Sequence, residues 1–290
     1  MTSKSSSKHN ININLEAYAM LRSGHHAILH WIFTNISEPI YFRNDILGQG
    51  KPRVFRDRGY WIPRDYEHTN GEAIPWYIYN IEDSLIAGAV NKRRHYSGIF
   101  GKIKPKKRLR ILVLRDPFNL FASRAKFLDN LNKERRKKGR ERITNKVQTN
   151  ANSGAGFVDH RAIRRWCEYA KEFIGETNCL DESIGVEYGR WVRSDKYRKR
   201  IAKKIGIRRT DDGILVVPKN GDGSSFDRTK FNNKAHKMDL FNRWNFFFKK
   251  NRTDAHREYL KMIMENKELI RLSSEIYPGL TEKVLTRYER

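Results

Sequence analysis

The run Ile111-Leu112-Val113-Leu114, with Leu109 just before it, constrains the fold more than any other stretch of the chain. Its apolar residues are consecutive, without the polar alternation of a half-exposed strand, so the strand they predict is buried on both faces. That is the situation inside a parallel sheet covered by helices. Arg115-Asp116-Pro117 stops the run, and apolar residues then recur at helical spacing from Asn119 to Leu128.

A second strand–turn–helix unit stands near the N-terminus, where Ile13 to Leu21 leads through Arg22-Ser23-Gly24 into a helical pattern from Ala27 to Ile36. Further strands are predicted at Pro39 to Arg43, Ile74 to Ile81 and Ser183 to Tyr188. Helices are predicted at Phe157 to Ile174, Ser194 to Ile205 with Gly206 as its stop, Leu240 to Phe248 and His256 to Ile276. Arg53 to Asp65 and Gly221 to Asn233 read as loops. This alternation predicts an α/β three-layer sandwich with a central parallel β-sheet flanked by helices.

With 290 residues the chain has length for one large core, so residues 13–290 are expected to form one domain. Residues 1–12 are rich in Ser and Lys and read as a disordered tail. No apolar run follows their charges, so they resemble neither a signal peptide nor an anchor. No window reaches the ~18 apolar residues of a membrane span. Together with two widely spaced cysteines, Cys167 and Cys179, this predicts a soluble protein of a reducing compartment, cytoplasmic and of bacterial or viral source. Lys133 to Arg142 carries seven basic residues and Thr144 to Gly156 is small and polar. A mobile basic insertion is therefore expected at about 130–156.

The two turns carry the chemistry. A turn between a buried strand and a helix offers unpaired backbone N–H groups and the positive end of a helix dipole, which together bind phosphate without a metal. Arg22-Ser23-Gly24-His25-His26 occupies such a turn. It lacks the Gly-x4-Gly-Lys-Ser/Thr spacing of an ATP-binding loop. In the other unit Arg115 stands at the strand end and Ser123 follows eight positions later, two helical turns on, so both can face one phosphate.

On these residues the chain resembles the sulfotransferases that use 3′-phosphoadenosine 5′-phosphosulfate (PAPS). Arg22-Ser23-Gly24-His25-His26 is similar to their 5′-phosphosulfate loop, and Leu114-Arg115-Asp116-Pro117 through Ser123 to their 3′-phosphate motif. Tyr188, after Gly185-Val186-Glu187, is similar to a family tyrosine near the adenine. Ser224-Ser225-Phe226 with Met238 to Trp244 resembles the loop and helix that cover the cofactor. The resemblance implies a P-loop-like fold, PAPS as co-substrate with 3′-phosphoadenosine 5′-phosphate (PAP) as product, no required metal, and an acceptor hydroxyl. It also implies cofactor contacts from Arg22, Ser23, Gly24, His25, His26, Arg115, Ser123 and Tyr188. The family often has Lys where Arg22 stands and Ser or Thr where His25 and His26 stand.

Sulfuryl transfer needs charge stabilisation at the leaving phosphate and a base for the acceptor proton. The resemblance places the base at the end of the strand Trp76 to Asp83, which makes Glu82 the candidate, with Asp83, His25 and His26 as alternatives. Arg22 and His26 complete the catalytic candidates. Capping of a following helix is the competing role for Glu82 or Asp83. Lys plus Arg number 59 against 33 acidic residues, a net charge of +26, so an anionic partner such as a polar or acidic glycan is expected. Two rival readings are a nucleotide or small-molecule kinase, which would want a loop lysine and acids for Mg²⁺, and a basic nucleic-acid-binding protein, for which the chain lacks a recognition motif.

Overall fold

The computed structural model describes residues 13–38, 40–44, 76–88, 90, 106–141, 143, 158–211, 213–218, 223–250 and 252–290. The expected tail 1–12, the loop Arg53 to Asp65 and residues 144–156 of the expected insertion lie outside them.

Among the described residues five parallel strands form the central sheet: β1 (Ile13–Ala19), β2 (Ile40–Arg43), β3 (Trp76–Glu82), β4 (Lys107–Leu114) and β5 (Ile184–Glu187), in the order β2-β3-β1-β4-β5. Helices cover both faces, giving the three-layer α/β architecture. They are α1 (His25–Thr34), α2 (Pro117–Lys137), α3 (His160–Ile174), α4 (Tyr188–Arg193), α5 (Asp195–Ile205), α6 (Asp254–Met264), α7 (Lys267–Ile276) and α8 (Pro278–Tyr288).

Strand pleating sorts the core into two layers. Leu15, Ala17 and Ala19 of β1, with Ile111 and Val113 of β4, pack against α1 and α5 through Ile28, Trp31, Ile32 and Ile201. Tyr18 and Leu112 face the other way, onto Phe118 and Phe121 of α2 and Trp166 of α3, with α6 and α7 beyond. The consecutive apolar residues of β4 are thus all buried, half in each layer.

Register sets the site. Ala19 pairs with Glu82 on one side and Val113 on the other, and Leu114 pairs with Glu187. The carboxyl ends of β1, β3, β4 and β5 therefore open on one edge of the sheet. After β1 the chain turns toward β2, whereas after β4 it turns toward β5, so the strand order reverses between β1 and β4. Ligands of open α/β sheets bind in the crevice at such a reversal.

Several expected boundaries are corrected. The helix after β4 runs to Lys137, so residues 130–137 of the expected insertion are helical, capped by Lys138. Leu240 to Phe248 is no amphipathic α-helix: it enters through irregular backbone and forms a 3-10 helix at Arg243–Phe248. Trp244 and Phe247 are both buried there, and the Trp244 amide donates to the side chain of Asn119 on α2. His256 to Ile276 is two helices, because Asn266 accepts from the Leu269 amide and so caps a new start. Among the described residues no helix is long and apolar enough to cross a membrane.

Candidate active site

Both predicted turns line one cavity: Arg22, Gly24 and His26 from the β1–α1 turn, Arg115 and Ser123 from the β4–α2 unit, and Tyr188 from the start of α4. Side chains from two separate strand–turn–helix units thus share one cavity wall.

The β4–α2 end is built from buried, paired groups. Asp116 accepts from the Asn119 amide at 2.8 Å and caps α2, whose first residue is Pro117. Arg115 is buried, with Nη1 donating to the Arg22 carbonyl at 3.0 Å and Nη2 to the Leu240 carbonyl at 3.0 Å. Asn119 holds the same segment by donating to the Phe241 carbonyl and accepting from the Trp244 amide, both at 3.1 Å. The irregular stretch 240–244 is thereby pinned over the cavity, and it delivers Arg243.

Arg243 was not among the expected contacts. Its Nη1 and the Nη1 of Arg115 each stand 3.4 Å from Ser123 Oγ, so two buried guanidinium groups converge on one hydroxyl. Burial, and next the charge of Arg115, pull the Arg243 guanidinium down to about 10. Asp227 Oδ2, 3.4 Å from Arg243 Nη2, offsets part of this charge, and an anion seated between the two guanidinium groups would relieve the remaining repulsion. Arg243 Nη2 also donates to Ser224 Oγ at 2.9 Å. Arg243 lies within Met238 to Trp244, a segment with no periodic pattern to aim its side chain.

The β1–α1 turn is finished differently. Arg22 has φ 71° and Gly24 φ 89°, both left-handed. Gly24 caps α1 without a side chain, so the first amides of the helix keep their donors for something else. A Cβ on Gly24 would lie 2.2 Å from the Tyr188 ring, which packs against the turn. Arg22 donates to the Gly223 carbonyl at 3.0 Å and lies 3.9 Å over the Phe127 ring.

Ser23 is buried and does not line the cavity: its hydroxyl stands 3.1 Å from His25 Nδ1. His25 Nε2 lies 3.1 Å from Glu82 Oε1, and His26 Nε2 3.4 Å from the same oxygen. Glu82 therefore stands behind the histidines and not in the cavity wall, with Asn80 Nδ2 donating to Oε1 at 2.7 Å. Burial would raise the Glu82 carboxyl, but the two histidines, His25 foremost, outweigh it and hold the group well below the usual range. Burial, then the neighbouring His25, lower His26. His26 is the member of the group with an open side, its side chain 18% exposed. An ionised carboxylate behind a neutral imidazole is the arrangement of a histidine base held by an acid.

Asp83, the alternative base, is committed elsewhere. Its carboxylate takes both terminal nitrogens of the buried Arg124, at 2.7 and 3.0 Å, and the Leu21 amide at 3.1 Å. It closes the turn, with its own amide donating to the Ala19 carbonyl.

Two further polar atoms of cavity residues, Ser225 Oγ and Trp191 Nε1, are buried without a partner among the described residues. An unpaired buried donor costs about 1–3 kcal/mol, and a ligand carrying acceptors would offset that. No protein-family model matches the chain, and neither does any curated protein.

Proposed function

We propose that the chain is a PAPS-dependent sulfotransferase, which moves a sulfuryl group to an acceptor hydroxyl. One observation carries the reading: two strand–turn–helix units bring Arg22, His26, Arg115 and Ser123 to a single cavity, where Arg115 and Arg243 converge on the Ser123 hydroxyl. A nucleotide with phosphates at both ends fits a cavity that is cationic at one end and lined by helix amides at the other.

In this reading Arg115, Arg243 and Ser123 hold the 3′-phosphate. The α1 amides and Arg22 receive the 5′-phosphosulfate, and Tyr188 supports the turn through Gly24. The acceptor oxygen attacks sulfur in line with the S–O bond to the 5′-phosphate. That bond breaks, and the phosphate oxygen leaves with charge that Arg22 and the amides stabilise. The hydroxyl proton passes to His26. With Nε2–H turned to Glu82, the ring keeps Nδ1 as its proton acceptor, and the carboxylate stabilises the imidazolium that forms.

The acceptor is proposed to be polar or acidic, such as a glycan. A second groove supports this with Lys126, Lys133, Arg136, Lys137, Lys249 and Arg252 on its walls.

Melting curves test the assignment. PAP without Mg²⁺ is expected to raise the melting temperature, by a stabilisation of about 2.7 kcal/mol at a hundred times its dissociation constant. ATP with Mg²⁺ is expected to do much less. Stabilisation by ATP–Mg²⁺ alone would replace the reading with a kinase, and steeply salt-dependent nucleic-acid binding without any response to PAP would replace it with a nucleic-acid-binding protein.

A further inference from the structure

We propose that His25, His26 and Glu82 form a binding site for a divalent transition-metal ion, zinc(II) being the ion it suits, and that this ion switches the transferase off. The three side chains are the only group among the described residues whose histidine, cysteine or carboxylate atoms gather this way. One ligand atom from each lies within 4.8 Å of the others.

The spacing fits the chemistry. Zinc bonds of roughly 2.0–2.1 Å to imidazole nitrogen and carboxylate oxygen put neighbouring ligand atoms about 3.3 Å apart around a tetrahedral ion. The two contacts to Glu82 Oε1, at 3.1 and 3.4 Å, bracket that edge length. Two histidines and one glutamate are also a known zinc ligand set that leaves a fourth position open. Here it would open toward the cavity, since both histidines line it.

The supporting groups are in place. A histidine that binds metal through Nε2 donates its Nδ1–H to a fixed acceptor. Ser23 Oγ stands 3.1 Å from His25 Nδ1, buried and with little freedom to leave. Asn80 Nδ2 fixes Glu82 Oε1 at 2.7 Å and is itself 2.7 Å from Asn44 Oδ1, so the carboxylate is oriented before any ion arrives. Glu82 supplies the negative charge of the ligand set, beside the positive charge of Arg22 that acts on His26. The ion has a way in along the exposed side of His26.

Inhibition follows from the tautomer. As a base, His26 needs Nε2–H on Glu82 and an open Nδ1, whereas as a metal ligand it needs a bare Nε2 and carries its proton on Nδ1. One ring cannot do both. The inhibition rests on the proposed transferase reading, whereas the metal site does not.

The two are separated by titrating untagged protein, free of nucleotide, with cobalt(II), whose visible absorption reports its coordination. One equivalent is expected to bind with the strong bands of a four-coordinate ion, and zinc(II) is expected to displace it. His26→Ala and Glu82→Gln are each expected to abolish those bands, while His256→Ala, at a histidine paired with Asp129 in the second groove, is expected to keep them. Matching melting curves will show that the variants fold. Absence of saturable cobalt binding by the wild type, or equal binding by folded His26→Ala and Glu82→Gln variants, overturns the site. If the site binds but zinc(II) leaves transferase turnover unchanged, the inhibition is overturned and the site stands.

Discussion

The β1–α1 and β4–α2 turns have the same construction, a buried parallel strand delivering a charged turn to a helix, and opposite finishes. At β4–α2 the polar groups are held in place by the protein itself: Asp116 caps the helix, Asn119 and Arg115 hold the 240–244 segment, and Ser123 Oγ rests 2.7 Å from the Asn119 carbonyl. At β1–α1 the cap is a glycine, the helix amides are left over, and His26 keeps an open side. A site that must grip one end of a ligand and change the other gains from that division. The rigid end defines position at little ordering cost, and the open end keeps donors and a base for groups whose charge changes during reaction.

The sharpest way to break the comparison is to remove the base. His26→Ala is expected to lower kcat by roughly 10²–10⁴-fold while leaving PAP affinity near the wild-type value, as read by steady-state kinetics beside calorimetric titration. A large loss of PAP affinity with kcat preserved would mean that the open turn grips as the closed one does. Glu82→Gln is expected to fall in the same direction by less, since the amide keeps the ring oriented but cannot stabilise imidazolium.

Next in size is the bond that joins the two turns. Arg124, on α2, is buried against Asp83 and also donates to the Leu21 carbonyl at 3.3 Å, so the finish of β1–α1 depends on a side chain from the other unit. Asp83→Ala removes the carboxylate that pairs with both terminal nitrogens of that buried guanidinium, and is expected to cost about 3–5 kcal/mol in denaturant unfolding. A change under about 1 kcal/mol would show that the turns are held independently.

These pairings mark the limit of what the sequence reveals. Ile111 to Leu114, Asp116-Pro117 and the Arg115–Ser123 spacing are local signals, since burial on both faces, a helix cap and two helical turns each leave a pattern within a dozen residues. Glu82 was legible only as an acid at a strand end. Its place behind the histidines depends on the register that pairs Ala19 with Glu82, and register across separate strands leaves no local trace. Arg243 meets Ser123 over 120 residues and from a stretch without helical periodicity, so the resemblance could point to the segment but not to the side chain. Asp83 and Arg124, 41 residues apart, are invisible for the same reason.

At the gripping end, Arg243→Ala is expected to weaken PAP about 10–150-fold, the loss of a charged hydrogen bond of about 1.5–3 kcal/mol. Ser123→Ala should weaken it less, and both should leave the kcat of the saturated enzyme close to wild type. Calorimetry with PAP and with adenosine 5′-phosphate, which lacks the 3′ group, sharpens the assignment. The variants should lose their discrimination between the two nucleotides, and an unchanged preference would move the 3′-phosphate elsewhere.

The smallest effect is on pH dependence, and its sign separates the two ends. Glu82 is held below the ordinary glutamate value in the folded chain, so the unfolded chain takes up its proton first. Its contribution is whole above that ordinary value and is lost as pH falls through it toward the lowered folded one. His26, also lowered, acts in the same sense over a window that begins at the ordinary imidazole value. Stability should therefore decline from neutral pH downward, and Glu82→Gln should flatten the lower part of that decline. With His26 as the neutral base of the proposed transfer, the acid limb of kcat should likewise lie below the ordinary imidazole value. A limb above it would mean that the ring is stabilised as a cation, and would move the base away from the β1–α1 turn.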